Sequence, residues 1–167
     1  GGLEIHNFYV PAGGDIADPA ENPKFAHKLD FLDAMTGWWT EHADKKAKRV
    51  LVGDLNVAPG EHDVWSHKQL LDVVSHTPVE VERLEKLLQT HDWIDVARHF
   101  VPANEKLYSW WSYRARDWRA TNRGRRLDHV WVTPALKSKL ASYEILADAR
   151  DWQKPSDHVP VILDLKD

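Results

Sequence analysis

The spacing of hydrophobic residues changes several times along the chain, which predicts an alternation of strands and helices. Residues 3–10 alternate between apolar and polar side chains, as a half-buried strand does. Residues 24–44 instead place apolar side chains near helical spacing, from Phe25 through Trp39. Between these elements, residues 11–23 are rich in glycine and proline, which predicts a loop.

The same pattern predicts four further strands and one further helix. Residues 48–60 begin as an apolar strand that stops at Gly53, and residues 79–100 have helical spacing with a break near His91. Three more segments have strand character, at residues 106–114, 125–133 and 158–165. Strands and helices therefore alternate, which favours an α/β or mixed α+β class with a layered sheet.

Composition narrows the class of protein. With 167 residues, of which 43% are hydrophobic, the chain is long enough for a single domain with its own core. No apolar run approaches the ~20 residues that span a bilayer, and nothing resembles a signal peptide, so we expect a cytoplasmic protein without a membrane partner. The absence of cysteine excludes disulfides and thiolate metal sites, so any metal ligands must be oxygen or nitrogen atoms.

Positive charge is concentrated in one segment of an otherwise acidic chain. The net charge is −4, yet residues 114–126, RARDWRATNRGRR, contain six arginines and one aspartate. A dense arginine segment on an acidic body favours a local anion site, because the forked guanidinium group suits phosphate better than lysine does. A solvated charged loop is the alternative interpretation of the same residues.

Acids and a histidine stand at the ends of three expected strands. Asp54 and Asn56 lie in GDLN, Asp128 lies in RLDH, and Asp157 and His158 lie in SDHVP. Alone, an aspartate after a glycine is usually a turn residue, but three such positions around an arginine segment are more specific. Phosphodiester hydrolysis needs a hard cation with oxygen ligands and a carboxylate or histidine that activates water. These residue types therefore favour metal-dependent hydrolysis of a phosphodiester.

Five stretches give the chain a family resemblance: NFYVPAGG, GDLNVAP, YSWWSYR, NRGRRLDH and PSDHVPV. In these stretches the chain resembles the C-terminal two-thirds of exonuclease III-type enzymes, which belong to the superfamily of endonucleases, exonucleases and phosphatases. The resemblance implies a four-layer α/β sandwich, with two face-to-face mixed sheets flanked by helices. Residues 1–167 would form the C-terminal portion of that domain. The N-terminal third, which supplies an asparagine and the principal metal-binding glutamate in the family, would be absent.

The resemblance also implies roles for the matching residues. Tyr9 would contact the scissile phosphate, and Asn56 would hold a phosphoryl oxygen. Asp54 would position or deprotonate the attacking water, or protonate the leaving group. Asp128 would pair with His158, which would contact the phosphate or act as the base.

A divalent cation and a DNA surface follow from the same resemblance. Asp157 would bind Mg²⁺ or Mn²⁺, with His158 and Asp54 as further candidate ligands. Trp110 and Trp111 would line a pocket for a flipped-out, baseless sugar, and core packing is the alternative for both. Arg125 occupies a position where the family often has a large apolar wedge. The expected DNA-contacting residues are Trp110, Trp111, Arg114, Asn122, Arg123, Arg125 and Arg126.

The expected function is thus a DNA-repair nuclease that cleaves at abasic sites, removes nucleotides from 3′ ends, or does both. The expected partner is double-stranded DNA with abasic sites or 3′ ends. A complementary N-terminal polypeptide is a further expected partner, and the full-length enzyme would be a monomer. Two alternatives remain open: an inactive DNA-binding module, and a phosphatase or phosphodiesterase that acts on small phosphate esters.

Overall fold

A mixed sheet forms the centre of the protein, whose computed structural model describes residues 2–166. The sheet has four strands in the order β1–β2–β6–β3, with β1 and β2 parallel and β6 antiparallel to both β2 and β3. Two smaller two-stranded sheets pair β4 with β5 and β7 with β8. The strands are β1 Leu3–Asn7, β2 Lys48–Asp54, β3 Ile94–Asp95, β4 Trp110–Trp111, β5 Gly124–Arg125, β6 Asp128–Val132, β7 Leu140–Ile145 and β8 Val161–Leu165.

Two long helices and three short ones accompany these strands. Helix α1 begins after Asn22, whose side chain accepts a hydrogen bond from the backbone N–H of Lys24. Helix α3 begins at Pro78 after a capping box of Thr77 and Glu80. The helices are α1 Pro23–Glu41, α2 His67–Leu70, α3 Pro78–Gln89, α4 Val96–Phe100 and α5 Trp118–Thr121, and short 3₁₀ helices span Glu61–Asp63, Pro134–Lys139 and Ala147–Asp151.

Alternating side chains of the central strands divide the core into two faces. Leu51 and Trp131 point to the face that α1 and α3 cover, where they pack with buried residues of both helices. Val50 and Val130 point to the other face and pack against the β7–β8 hairpin. The central sheet therefore lies between a helical layer and a second, small sheet, which confirms the expected α/β class.

The strands and helices are shorter than the sequence pattern suggested. The expected helix over 79–100 is divided into α3, β3 and α4, and the break near His91 is confirmed. Of the expected strand over 106–114 only Trp110–Trp111 pairs, and the segment 125–133 contributes to two strands, β5 and β6. Strand β2 runs one residue beyond Gly53, whose φ of +136° brings the backbone close to Phe8.

Strand β1 is an edge strand with an apolar exposed face. Leu3 is 45% exposed and Ile5 is 67% exposed, although the paired residue Val50 is buried. Monomeric proteins rarely leave apolar strand edges open, because such edges pair with further strands. Among residues 2–166, no helix is both long and apolar enough to cross a membrane.

Candidate functional site

The candidate site lies at one end of the strands of the central sheet, where three segments of the chain meet. Because β1 and β2 are parallel and β6 runs the opposite way, the ends of β1 and β2 lie beside the start of β6. Tyr9 follows β1, Asp54 is the last residue of β2, and Asp128 is the first residue of β6. Asp54 and Asp128 are direct partners in the β2–β6 ladder, so their side chains share one face of the sheet.

His158 joins these two carboxylates. Its Nδ1 lies 2.8 Å from Oδ2 of Asp128, and its Nε2 lies 3.8 Å from Oδ2 of Asp54. A carboxylate can only accept, so Nδ1–H donates to Asp128 and Nε2 faces Asp54. The pairing of Asp128 with His158 that the resemblance implied is present in the structure.

Ser109 also holds the Asp128 carboxylate in place through a hydrogen bond. Its hydroxyl donates to Oδ2 of Asp128 at 2.7 Å and accepts hydrogen bonds from the backbone N–H groups of Leu127 and Asp128. The Asp128 carboxylate is therefore fixed from two directions, by Ser109 and by His158. Ser109 was not among the residues predicted from the sequence, although its place immediately before the two tryptophans of YSWWSYR was a usable signal.

Asn56 orients the Asp54 carboxylate by donating hydrogen bonds to both of its oxygens. Its backbone N–H donates to Oδ1 of Asp54 at 3.0 Å, and its side-chain Nδ2 donates to Oδ2 of Asp54 at 3.0 Å and to the carbonyl of Val10 at 2.9 Å. Asn56 has a left-handed φ of +50° and is buried. The turn after β2 is thus built around the Asp54 carboxylate, as Asp–x–Asn turns commonly are.

Burial and neighbouring negative charge shift the pKa values of Asp54 and His158. Burial of the Asp54 carboxyl, together with the negative charge of Asp128, raises its pKa to about 6. Burial lowers the pKa of His158, but the hydrogen bond and charge of Asp128, with the charges of Asp54 and Asp157, outweigh it and raise that pKa. The site therefore places two neighbouring carboxyl groups beside a histidine whose pKa is raised.

The same cluster has the composition of a cation site. Ligand atoms of Asp54, Asp128 and His158 lie within 4.8 Å of one another, and within residues 2–166 this is the group of three that meets that spacing. Burial, and after it the charge of Asp128, raise the pKa of Asp54, and a cation would offset both effects, so the residues fit a hard divalent ion. Asp157 lies outside this cluster. Its carboxylate instead accepts a hydrogen bond from Nε1 of Trp110 at 3.0 Å, so the geometry does not favour Asp157 as the leading ligand.

A pocket of about 660 Å³ opens above the cluster. Two tryptophans line it, Trp65 and Trp110, and each has an arginine over its ring. The Arg123 guanidinium lies 4.6 Å from the Trp65 ring centre, and that of Arg125 lies 5.4 Å from the Trp110 ring centre. Trp65 was missed, because GEHDVWSH has no strand or motif that would single it out. The pocket also contacts Tyr9, Asp54, Asn56, Arg114 and His158.

Trp111 and Asn122 do not line this pocket. Trp111 is 5% exposed, packs against Tyr108 and Trp118, and donates from Nε1 to Oδ1 of Asn122 at 3.1 Å. Asn122 ends α5 in a left-handed conformation, with φ of +43°. The expectation that Trp111 contacts the substrate is corrected: consecutive residues of a strand point to opposite faces, and only Trp110 points to the pocket.

Arg126 is also removed from the expected DNA surface. Its side chain is fully buried and forms a two-pronged ion pair with Asp63, at 2.7 and 2.9 Å, and a further pair with Asp95. Arg125 turns inward rather than acting as a wedge: its Nη1 donates to the carbonyl of Val74 and to Oγ of Ser75.

The arginines of residues 114–126 therefore differ in whether aspartates already pair with them. Arg119 pairs with Asp148 and Asp151. In contrast, Arg114, Arg116 and Arg123 are exposed and take part in none of the ion pairs found among residues 2–166. Three of the six arginines remain as candidates for phosphate contact.

Comparisons with known proteins agree with this geometry. The model of the endonuclease/exonuclease/phosphatase family matches residues 3–158. Exodeoxyribonuclease III of Haemophilus influenzae is 28% identical, with 98% of this chain and 62% of that protein covered. The exodeoxyribonuclease of Bacillus subtilis is 34% identical, with 96% and 61% covered.

Solved structures give the same result. An AP endonuclease from Archaeoglobus fulgidus superimposes with a TM-score of 0.90 at 29% identity, covering 98% of this chain and 62% of that one. The 3′ phosphatase NExo from Neisseria, bound to a product DNA hairpin, superimposes with a TM-score of 0.88 at 27% identity, covering 99% and 62%. The chain thus spans somewhat less than two-thirds of the length of these relatives.

Proposed function

The chain belongs to the endonuclease/exonuclease/phosphatase family, and from that premise we propose that it acts as a metal-dependent DNA phosphodiesterase of base-excision repair. The proposed substrates are duplexes with abasic sites or with nucleotides to be removed from 3′ ends. One observation carries the proposal: Asp54, Asp128 and His158 converge beneath a pocket lined by tryptophan and arginine.

The proposed chemistry is an in-line attack of water on phosphorus. Asp54, with a pKa of about 6, is ionised at neutral pH, so it can position the water and accept its proton. As the new phosphorus–oxygen bond forms, the bond to the leaving oxygen breaks and that oxygen takes a proton from solvent. His158, held in one tautomer by Asp128, donates from Nε2 to a phosphoryl oxygen in its charged form.

A cation would be held by the carboxylates of Asp54 and Asp128, with Mg²⁺ or Mn²⁺ as the proposed ions, because both ring nitrogens of His158 carry protons in the charged form used here. When bound, the ion would neutralise charge on the phosphoryl oxygens. Asn56 keeps both oxygens of Asp54 hydrogen-bonded, and so keeps the carboxylate aimed at this position.

The pocket supports DNA as the substrate. Trp65 and Trp110 provide flat apolar walls for a sugar or base withdrawn from the duplex. Arg114 and Arg123 lie at the same pocket and are suited to the flanking phosphates. Tyr9, which is 65% exposed beside Asp54, is proposed to contact the scissile phosphate.

We also propose that a further polypeptide segment completes the sheet next to β1. The exposed side chains of Leu3 and Ile5 extend the apolar face that the β7–β8 hairpin covers elsewhere. Relatives are longer than this chain, which covers 62% of the Haemophilus enzyme. A complementary segment would therefore cover this face and add metal-binding groups to the site.

The test is cleavage of a labelled duplex that carries one abasic site, with Mg²⁺ and with a chelator as the control. The chain should be assayed alone and together with a polypeptide that corresponds to the uncovered segment of its relatives. We expect little cleavage by the chain alone and Mg²⁺-dependent cleavage with the added segment.

The matched variants are Asp54→Asn, which keeps side-chain size, and His158→Asn, which keeps a polar side chain but removes the imidazole. Each should abolish most of the cleavage. Retention of the duplex without cleavage under every condition would support an inactive DNA-binding module instead. Hydrolysis of small phosphate esters without cleavage of the duplex would support a phosphatase.

A further inference from the structure

A buried ion pair lies directly behind the site. Lys28 of α1 and Glu80 of α3 meet with Nζ 2.5 Å from Oε1, and both side chains are fully buried. Lys28 stands on the apolar side of α1, between Phe25 and Leu32, which are both fully buried. Charged groups are rarely placed there without a partner or a specific task.

The ammonium of Lys28 joins two loops of the site. It donates to the carbonyl of Asn56 at 2.7 Å and to the carbonyl of Ala12 at 3.3 Å. Ala12 belongs to the loop that follows Tyr9, and Asn56 belongs to the turn that holds Asp54. Asn56 adopts a left-handed φ of +50°, which asparagine tolerates, and the hydrogen bond from Lys28 fixes the direction of its carbonyl.

The carboxylate of Glu80 fixes a third loop. It accepts hydrogen bonds from the backbone N–H groups of Ser75 and Thr77 and from the hydroxyl of Thr77. Ser75 also has a positive φ, of +89°, and its carbonyl accepts from the backbone N–H of Ala58 at 2.7 Å. Oγ of the same residue accepts from Arg125, whose side chain lines the pocket.

Stability is a weak explanation for such a pair. An apolar pair of similar volume often stabilises a fold as well as a buried ion pair does, because both charges must first be removed from water. What an apolar pair cannot supply is a donor aimed at the Asn56 carbonyl and an acceptor for three donors of the Ser75–Thr77 loop. The contacts of the pair are thus directed at loops that line the site.

We propose that Lys28 and Glu80 are positioning residues, and that their ion pair holds the Asp54–Asn56 turn and the Ser75–Thr77 loop in the geometry that hydrolysis requires. Neither side chain reaches the pocket, so both act through Asn56, Asp54 and Arg125. The inference rests on the proposed function for its catalytic consequence, but the local structural claim is independent of it.

The main variant is the double substitution Lys28→Met with Glu80→Leu, which keeps volume and removes both charges. The matched control is Leu87→Ala, because Leu87 is buried on the same helix as Glu80 and packs in the core away from the pocket. Thermal unfolding gives the stability of each variant. Duplex cleavage gives kcat and KM, measured with the complementary segment added if the wild-type chain needs it. Two-dimensional NMR of the chain alone reports on the amide and side-chain Nδ2 signals of Asn56.

We expect the double variant to melt below the wild-type temperature, because the donors of the Ser75–Thr77 loop lose their acceptor. It should lose about 100-fold in kcat with KM unchanged and show displaced Asn56 signals, because small misplacements of reacting groups cost about that much. The Leu87→Ala control should melt earlier but keep kcat and the Asn56 signals. Lys28→Met alone leaves Glu80 buried without its partner and should be the least stable variant.

A double variant with wild-type kcat and unmoved Asn56 signals would overturn the proposal and leave the pair a purely structural one. If the wild-type chain cleaves no DNA under any condition, the proposed function fails, and the NMR comparison still decides whether the pair positions Asn56. Equal losses of kcat in the double variant and in Leu87→Ala would also overturn the proposal, since a general loosening would then explain both.

Discussion

Replacing Arg123 with alanine should make DNA binding less sensitive to salt. Arg123 is exposed, lies over the Trp65 ring at the pocket, and takes part in none of the ion pairs found in the described part of the chain. Its charge is therefore available to a phosphate, unlike those of Arg119 and Arg126, which aspartates already neutralise.

The expected magnitude follows from counterion release. Each phosphate contact contributes about 0.9 to the slope of log affinity against log salt concentration. A fourfold rise in salt, from about 50 to about 200 mM, then weakens binding roughly 3.5-fold for every contact. Arg123→Ala should lower the slope by about 0.9, and a triple variant that also replaces Arg114 and Arg116 should lower it about three times as far.

The assay is fluorescence anisotropy of a labelled duplex titrated with the chain at four or more salt concentrations. Two controls separate charge from structure. Arg123→Lys keeps the charge and should keep the slope. Lys137→Ala removes one exposed charge from the turn that follows β6, at the opposite end of that strand from Asp128, and should also keep it. An unchanged slope for Arg123→Ala, or an equal loss for Lys137→Ala, would refute the assignment of Arg123 to the interface.

Three further predictions concern the pair at the site and the buried residues. Asp128→Asn should lower the pKa of His158 in an NMR titration, because Asp128 supplies the hydrogen bond and charge that outweigh burial; an unchanged titration curve would show that the two residues are uncoupled. Trp111→Ala should lower the free energy of unfolding by about 3–5 kcal/mol in denaturant titrations and leave the salt slope of DNA binding intact, whereas a substituted chain of wild-type stability would show that the ring is not part of the core. Burial would raise the pKa of Asp63, but Arg126 and Arg98 outweigh it and hold that pKa well below its usual range. The stability that this lowered pKa provides is present above about pH 4 and is lost as pH falls. The Asp63→Asn variant should therefore have a lower free energy of unfolding at neutral pH, and that free energy should depend less on pH in acid. A plot of unfolding free energy against pH that runs parallel to that of wild type between pH 7 and 3 would contradict the prediction.

The layered class of the fold and the edge of the sheet where the site lies could be predicted from the sequence, because both depend on local patterns. Alternation and helical spacing identify β1, β2 and α1. Polar residues at the end of one apolar strand and before the start of another mark Asp54 and His158. The ends of the strands and helices could not be predicted, because they depend on hydrogen bonds to segments that are far away in the sequence. Strand β3, for example, exists only because two residues meet β6.

The arginines show why side-chain roles were harder to predict than positions. Arg125 and Arg126 look alike in sequence, yet one lines the pocket and the other is buried among carboxylates. The difference is set by Asp63, which lies 63 residues before Arg126. The number of charges in the sequence does not show that Arg126 will pair with Asp63. Lys28 was detectable in principle, because a lysine at i+3 from Phe25 falls on the buried side of an amphipathic helix.

The direct pairing of Asp54 with Asp128 makes the site sensitive to insertions. Because side chains alternate between the two faces of a sheet, a shift of one residue between β2 and β6 would turn Asp128 away from Asp54 and bring a neighbour into its place. A deletion or insertion of one residue within either strand should therefore abolish the site even where the sheet still forms. The presence of the Asp54–Asp128–His158 cluster is thus a direct report on strand register, and a sheet that folds one residue out of step keeps its fold while losing the cluster.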